Sequence, residues 1–513
     1  MRRPTLLALS TVVPLLVSAQ CPDYLDYASQ VHEPLSSGKY KLASQRPSNE
    51  CRTFGSPALE DTLQRMQSVI KDPDLYRLFQ NAYPNTLDTA IRWKGYAANN
   101  AEEELTFIIT GDINAMWLRD SSNQMQSYLP LLNASTDPTS IASLYRGVIN
   151  LQARYLLTSP YCNSFQPPVE SGIQIAPNPS ASEDSVFPSY SNSSVFECKY
   201  ELDSLAAFLE VSTNYYNATG DAAFFGKFQW VQAIEAVLKV AEDMKTPTYG
   251  ADGEVLASPY SFTRRTTRAT ETLANDGLGN PTANGTGLIR SAFRPSDDST
   301  IYQLFIPANM MFSAYLSSTA QIMSQLNTDR TAALAQRMAD MAKSLRDAIE
   351  THGTVTHAKY GKIYAFEVDG FGSSTIMDDA NIPSLLSAPF ITYPVDAQTY
   401  QNTRALILSA SNPYFMRGPV INAVGGPHQG PGMAWPMASI VRIFTSDDDN
   451  EIKTELRQIL GSTAGLGLVH ESVNSFNEGR WTRQWFSWAN GLFGQMILDL
   501  AARKPEILET SFQ

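Results

Sequence analysis

Residues 469–500 read VHESVNSFNEGRWTRQWFSWANGLFGQMILDL. Trp485, Trp488, Ala489, Leu492 and Met496 recur at the spacing of one helix face and predict a helix over 484–502. Leading into that stripe are a carboxylate (Glu471), an imidazole (His470), two guanidinium groups (Arg480, Arg483) and a further indole (Trp481). Two readings fit these residues. Indole faces stack on pyranose rings, Arg and Asn direct hydrogen bonds to hydroxyls, and a carboxylate near cations can act as a base at an anomeric carbon. The same residues also suit the packed end of an aromatic helix.

A polar cluster at a helix start recurs along the chain. TGDINAMWLRDSSN (110–123), RPSDD (294–298), MDDANIPS (377–384) and GGPHQGPGMAWP (425–436) all stand ahead of apolar helical stripes. Periodicity predicts about a dozen helices, near 57–71, 120–132, 139–157, 201–217, 221–244, 299–325, 328–351, 378–387, 396–410, 433–444, 449–460 and 484–502. Strand alternation is sparse. The expected fold is all-α, a toroid of paired helices with a site built from loops at one end.

At 513 residues, 43% hydrophobic and 17% charged, the chain can bury a large core. Residues 57–513 read as one domain after an arm over 20–56, with surface insertions near 159–198 and 250–290. A net charge of -13 without a basic run disfavours nucleic acid. Residues 1–19 read as a signal peptide: Arg2 and Arg3, an apolar run Leu6–Val17 broken by Pro14, and small residues before Gln20. That run is shorter than the roughly twenty residues that span a bilayer, and no span is expected in the mature chain. The expected address is the secretory pathway, with secretion the first reading and the lumen of the endoplasmic reticulum or Golgi the second. Four cysteines suit two disulfides, for which we favour Cys21–Cys51 and Cys162–Cys198. Sequons stand at Asn133, Asn192, Asn217 and Asn284. No C-x-x-C or paired histidine spacing marks a metal site, no cofactor is expected, and no feature sets an oligomeric state.

Glycoside hydrolysis needs one protonated carboxyl and one ionised carboxyl on opposite faces of a sugar. Asp297, Asp298 and Glu471 can supply both, since adjacent buried carboxyls repel and one can retain its proton. A DD pair before a helix serves equally well as an N-cap, as does Ser296.

AMWLRDS (115–121), FRPSDD (293–298), MDDANIPSLL (377–386), GGPHQG (425–430), HES (470–472) and TRQWFSWANGLFG (482–494), in this order, resemble glycoside hydrolase family 125. The resemblance runs from about Leu59 to Ala501 and implies an (α/α)6 barrel. It also implies a metal-independent, inverting exo-α-1,6-mannosidase acting on α-mannoside-containing glycans. By the same resemblance Asp298 is the general acid, with Asp297 as fallback, and Glu471 is the general base. Trp117, Arg119, Asp120, Asp297, His428, His470, Arg483 and Trp485 are implied substrate contacts, while Asp378 and Asp379 match a motif with no assigned role. Inversion requires the two carboxyls to stand roughly 6.5–9.5 Å apart. The rival readings are an inverting α-glucosidase of the glucoamylase or trehalase type and a secretory glycan-binding protein without catalysis.

Overall fold

The computed structural model describes residues 21–513, so the expected signal peptide at 1–19 lies outside the described residues. Among these, twelve helices of nine residues or more form the body. They are α1 (Pro57–Val69), α2 (Pro73–Ala82), α3 (Leu118–Gln126), α4 (Ile141–Thr158), α5 (Leu202–Thr219), α6 (Trp230–Asp243), α7 (Ile306–Ser324), α8 (Asp329–His352), α9 (Ala397–Ile407), α10 (Pro436–Phe444), α11 (Asp449–Gly461) and α12 (Ser487–Arg503).

Two kinds of helix are distinguishable by sequence and burial. In α3 every residue is buried, and in α7 burial is unbroken from Ile306 to Leu316. Such helices are core on all faces. They pack side by side, α12 on α3, α3 on α5, α5 on α7, and α10 on α12. By contrast α8 buries one stripe, including Leu334, Met338, Leu345 and Ile349, and lays it on α7; α4, α11 and α2 likewise lie against α5, α10 and α12. The result is an (α/α)6 toroid.

Capping follows the same division. Six of the outer helices begin at residues whose side chains accept backbone N–H groups, Ser56, Asp72, Ser140, Thr328, Asp396 and Asp448, while α6 follows Gln229 without one. The inner helices α3, α5, α7, α10 and α12 follow Trp117, Glu201, Phe305, Trp435 and Phe486, none of which makes a side-chain cap. Short antiparallel strands hold three of those starts instead, at Met116–Trp117, Leu304–Phe305 and Met433–Ala434. The positive ends of the inner helices are thereby gathered at one end of the toroid.

Several expected elements differ. The helix expected at 378–387 is a set of turns, buried from Met377 to Ala388, because the Asp378 carboxylate accepts the N–H groups of Leu385 and Leu386, both at 2.9 Å. Pro383 removes a further helical donor. Helix α2 lies in a stretch read as loop, although Asp72-Pro73 is a cap followed by proline at the first helical position. The expected helix at 221–244 breaks into Ala222–Phe225 and α6, and α7 starts seven residues after Ser299 rather than at it.

The arm is part of the body. Leu42 and Ala43 are fully buried, Ala43 N–H donates to Gly465 O at 3.0 Å, and disulfide Cys21–Cys51 closes its base. Disulfide Cys162–Cys198 closes the first insertion. The two insertions pair with each other, strand Asp184–Phe187 against Ser261–Arg264, and Arg264 grips Asp184 through two bonds of 2.7 Å. No helix among the described residues is long and apolar enough to cross a membrane.

Gly494 in α12 tests the ring's closure, because a methyl group there would stand 2.4–2.7 Å from Tyr83 Cδ2, Cβ and Cα. Gly494→Ala is expected to destabilise the protein by about 1–3 kcal/mol through overpacking, read as a lower urea midpoint. An unchanged midpoint would show that α12 is not held against the end of α2.

Candidate active site

At the end where the inner helices start, a cavity of about 540 Å³ opens. Its walls include Trp117, Arg119, Asp120, Asp297, His428, Gln429, Trp435, Glu471, Arg483, Phe486 and Trp488. The two insertions contribute Asn178, Ser180, Phe196 and Glu271.

The turn before α7 decides which aspartate enters. Asp297 N–H donates to Arg294 O at 2.9 Å and Arg294 N–H to Asp298 O at 2.8 Å, which closes a tight loop with Asp297 in the left-handed region at φ 65°. Asp297 lines the cavity with 26% of its side chain exposed. It accepts Trp117 Nε1–H at 3.3 Å and the Asn163 amide at 3.1 Å. Asp298 points beneath the cavity, 2% exposed, accepts Ser296 Oγ–H at 3.0 Å and faces His428 Nδ1 at 3.7 Å. The Asp298 side chain therefore does not line the cavity.

In the same cavity Glu471 accepts three donors: Thr482 Oγ1–H at 2.8 Å, Gln429 Nε2–H at 3.0 Å and Arg483 at 3.2 Å. Arg483 is itself oriented by Asp112, with contacts from 2.6 to 3.0 Å, and lies over the Phe486 ring. Its planar fork thus links two carboxylates rather than being free for sugar hydroxyls alone.

Arg119 is the other charge centre. It meets Glu201 at 2.6 Å and Asp203 at 2.9 Å, with Asp120 at 3.6 Å and Asp297 at 3.9 Å. Burial pushes Asp120 up to about 6 against the pull of Arg119. Burial also drives Glu201 well above the carboxylate range, only partly countered by Arg119. For Asp297 burial acts upward too, but Lys199 and Arg119 outweigh it and hold the group at about 2. Burial disfavours the His428 cation, yet Asp298, Glu471 and Asp297 overcome this and raise it to about 9.

The chain matches the family described as metal-independent alpha-mannosidase (GH125) over residues 72–498. It belongs to glycoside hydrolase family 125. Meiotically up-regulated gene 157 protein of Schizosaccharomyces pombe is 45% identical over 492 residues, covering 95% of this chain and 94% of that one. A Streptococcus pneumoniae metal-independent alpha mannosidase, in a non-productive complex with alpha-1,6-mannobiose, superposes with a TM-score of 0.76 at 32% identity. It covers 88% of this chain and 100% of that chain. Among the described residues no group of three or more His, Cys, Asp or Glu is arranged to hold a metal ion.

Two expected family contacts lie elsewhere. His470 is fully buried and stacked on Trp481 at 4.3 Å, and it hydrogen-bonds Thr463 O rather than facing the cavity. Trp485 turns away, donating Nε1–H to Thr89 at 3.0 Å with the edge of Tyr24 against it. Trp485 stands two residues ahead of α12, whereas Trp488 is in its first turn and does line the cavity although its sequence context reads as core. The indole N–H groups of Trp488 and Trp435 have no acceptor among the described residues. Asp378 serves as the turn acceptor described above, and Asp379 is buried beside Asp298 and Arg294. Sequence reading passed over Asp112, Lys199, Glu201, Asp203, Gln429 and Trp435. The visible signal was KYELD (199–203), three charges running directly into an apolar stripe.

Burial lowers His470 to about 4, below its ordinary 6.5. Its neutral ring therefore contributes stability that is present above about pH 6.5 and lost as pH falls through 4. The span corresponds to at most about 3 kcal/mol. His470→Phe keeps the stack and cannot protonate, so it should lose less stability than wild type between pH 7 and 4 in urea unfolding. Equal losses would contradict the buried neutral imidazole.

Proposed function

We propose that the protein is an inverting exo-α-mannosidase acting on α-1,6-linked terminal mannose. One observation carries this reading: Asp297 and Glu471 line the same cavity, together with Trp117, Arg119, Asp120 and Trp488. In the proposed reaction Asp297 gives a proton to the leaving oxygen while Glu471 takes one from a water that attacks the anomeric carbon from the other face. A single displacement of that kind inverts the centre.

The acid is assigned to Asp297 and not to Asp298, because only the former reaches the cavity. Its proton is stored close by. Burial raises the proton affinity of Glu201 well above the carboxylate range beside Asp297, and a proton shared between these two carboxyls is the proposed source. A sugar that displaces water from the cavity further disfavours charge on Asp297 and draws that proton across. Glu471, with three donors around it, is built to act as a base.

The acceptor side of the substrate falls to Asn178, Ser180, Phe196 and Glu271 from the two insertions. Phe196 stands edge-on to Trp117 at 5.6 Å and offers a ring face to the leaving sugar. The two disulfides and the exposed Asn133, Asn192, Asn217 and Asn284 support a secretory address.

The deciding experiment is NMR of the first-formed mannose from α-1,6-mannobiose, where β-mannose is expected. An α product removes the assigned roles, and hydrolysis of α-glucosides in place of α-mannosides returns the reading to the glucoamylase type. Glu471→Gln and Asp297→Asn should each lower kcat by about 10²–10⁴-fold, with Asp298→Asn less affected. A greater loss for Asp298→Asn would move the acid back to that residue.

A further inference from the structure

The disulfide Cys162–Cys198 joins the two residues that immediately precede Asn163 and Lys199 in the chain. Both followers grip Asp297. The Asn163 amide donates to Asp297 Oδ1 at 3.1 Å and to Glu201 Oε1 at 3.2 Å, and Lys199 Nζ donates to the Asp297 backbone oxygen at 2.8 Å. They also grip each other, Lys199 N–H donating to Asn163 Oδ1 at 3.0 Å. Asn163 O in turn accepts Leu118 N–H at 3.0 Å, at the first residue of α3.

Little else sets this register. The strands that carry the pair, Ser164–Phe165 and Val195–Glu197, are two and three residues long, and their pairing is irregular between Ser164 and Phe165. Ladders that short specify register weakly. Asp297 meanwhile occupies the left-handed region, which is strained for a non-glycine residue and persists only where its surroundings impose it. Both cysteines are buried, and each is followed directly by a residue that contacts Asp297. Cys21–Cys51 differs: it fastens the arm and borders another cavity, beside Trp485.

We propose that the Cys162–Cys198 disulfide is a positioning element for the general acid, fixing Asn163 and Lys199 so that Asp297 is held at the leaving oxygen. This rests on Asp297 being the acid. A loosened acid penalises only those leaving groups that need a proton.

The test compares α-1,6-mannobiose, whose leaving sugar must be protonated, with 2,4-dinitrophenyl α-mannoside, whose leaving group departs as an anion. For Cys162→Ala/Cys198→Val, kcat on mannobiose should fall by at least about 10-fold while kcat on the aryl mannoside and both KM values stay within about twofold. Cys21→Ser/Cys51→Ser should keep the wild-type ratio between the two donors. Equal losses on both donors, or no loss on either, overturn the proposal. If the double variant does not fold, Asn163→Ala, which keeps the bond and removes its amide link to Asp297, must show the same leaving-group signature, and equal losses there sink it. Asp297→Asn separates the two readings: if it loses both donors alike, the acid assignment fails, whatever the disulfide does.

Discussion

A buried guanidinium, Arg119, is the group on which the site depends. Left unpaired it would cost several kcal/mol, and here carboxylates from three separate elements compensate it. Asp120 comes from the first turn of α3, Glu201 and Asp203 from the start of α5, and Asp297 from the turn before α7. Pairing therefore joins three neighbouring inner segments at the same end of the toroid. Even with Lys199 the cluster holds more acids than bases, so burial keeps protons on some of its members. The constraint that assembles the wall also raises the proton affinity of Asp120 and Glu201 within it.

The absence of side-chain caps on the inner helices belongs to the same design. Capping by Ser, Thr or Asp would satisfy their first N–H groups locally, as it does in six of the outer helices. Residues that do other work occupy those positions instead: Trp117 holds Asp297, Glu201 holds Arg119, and Trp435 lines the cavity. The carboxylates then sit where helix dipoles favour negative charge. Glu471 is likewise held by Arg483, which Asp112 orients, so each of the two proposed catalytic carboxylates has its own guanidinium nearby.

Legibility differed between the layers of the molecule. The stripe on α8 and the apolar run of α12 were readable because helical periodicity is a local property of neighbouring residues. The turns at 377–388 were not, since an apolar stretch reads the same whether its backbone donors bond one another or the Asp378 carboxylate. Among site residues, Glu471, Arg483, Trp117, Arg119 and Asp120 were found in motif clusters and line the cavity. Trp488 was taken for core and Trp485 for a sugar contact, and the cavity is lined by Trp488 instead. Composition cannot separate two indoles three residues apart; the structure does, because Trp485 lies in the extended chain ahead of α12 and Trp488 within its first turn.

By itself the sequence determined the family, the helical toroid and the two motif regions whose carboxylates line the cavity, because motif order and apolar period are written along one chain. Which carboxylate of Asp297-Asp298 faces the cavity was decided only by tertiary structure. The two side chains are chemically identical. A left-handed backbone at Asp297, held by Asn163 and Lys199 from a disulfide-linked insertion more than ninety residues earlier, turns one into the cavity and the other beneath it. Long-range contacts of that kind leave no local pattern in the residues they position.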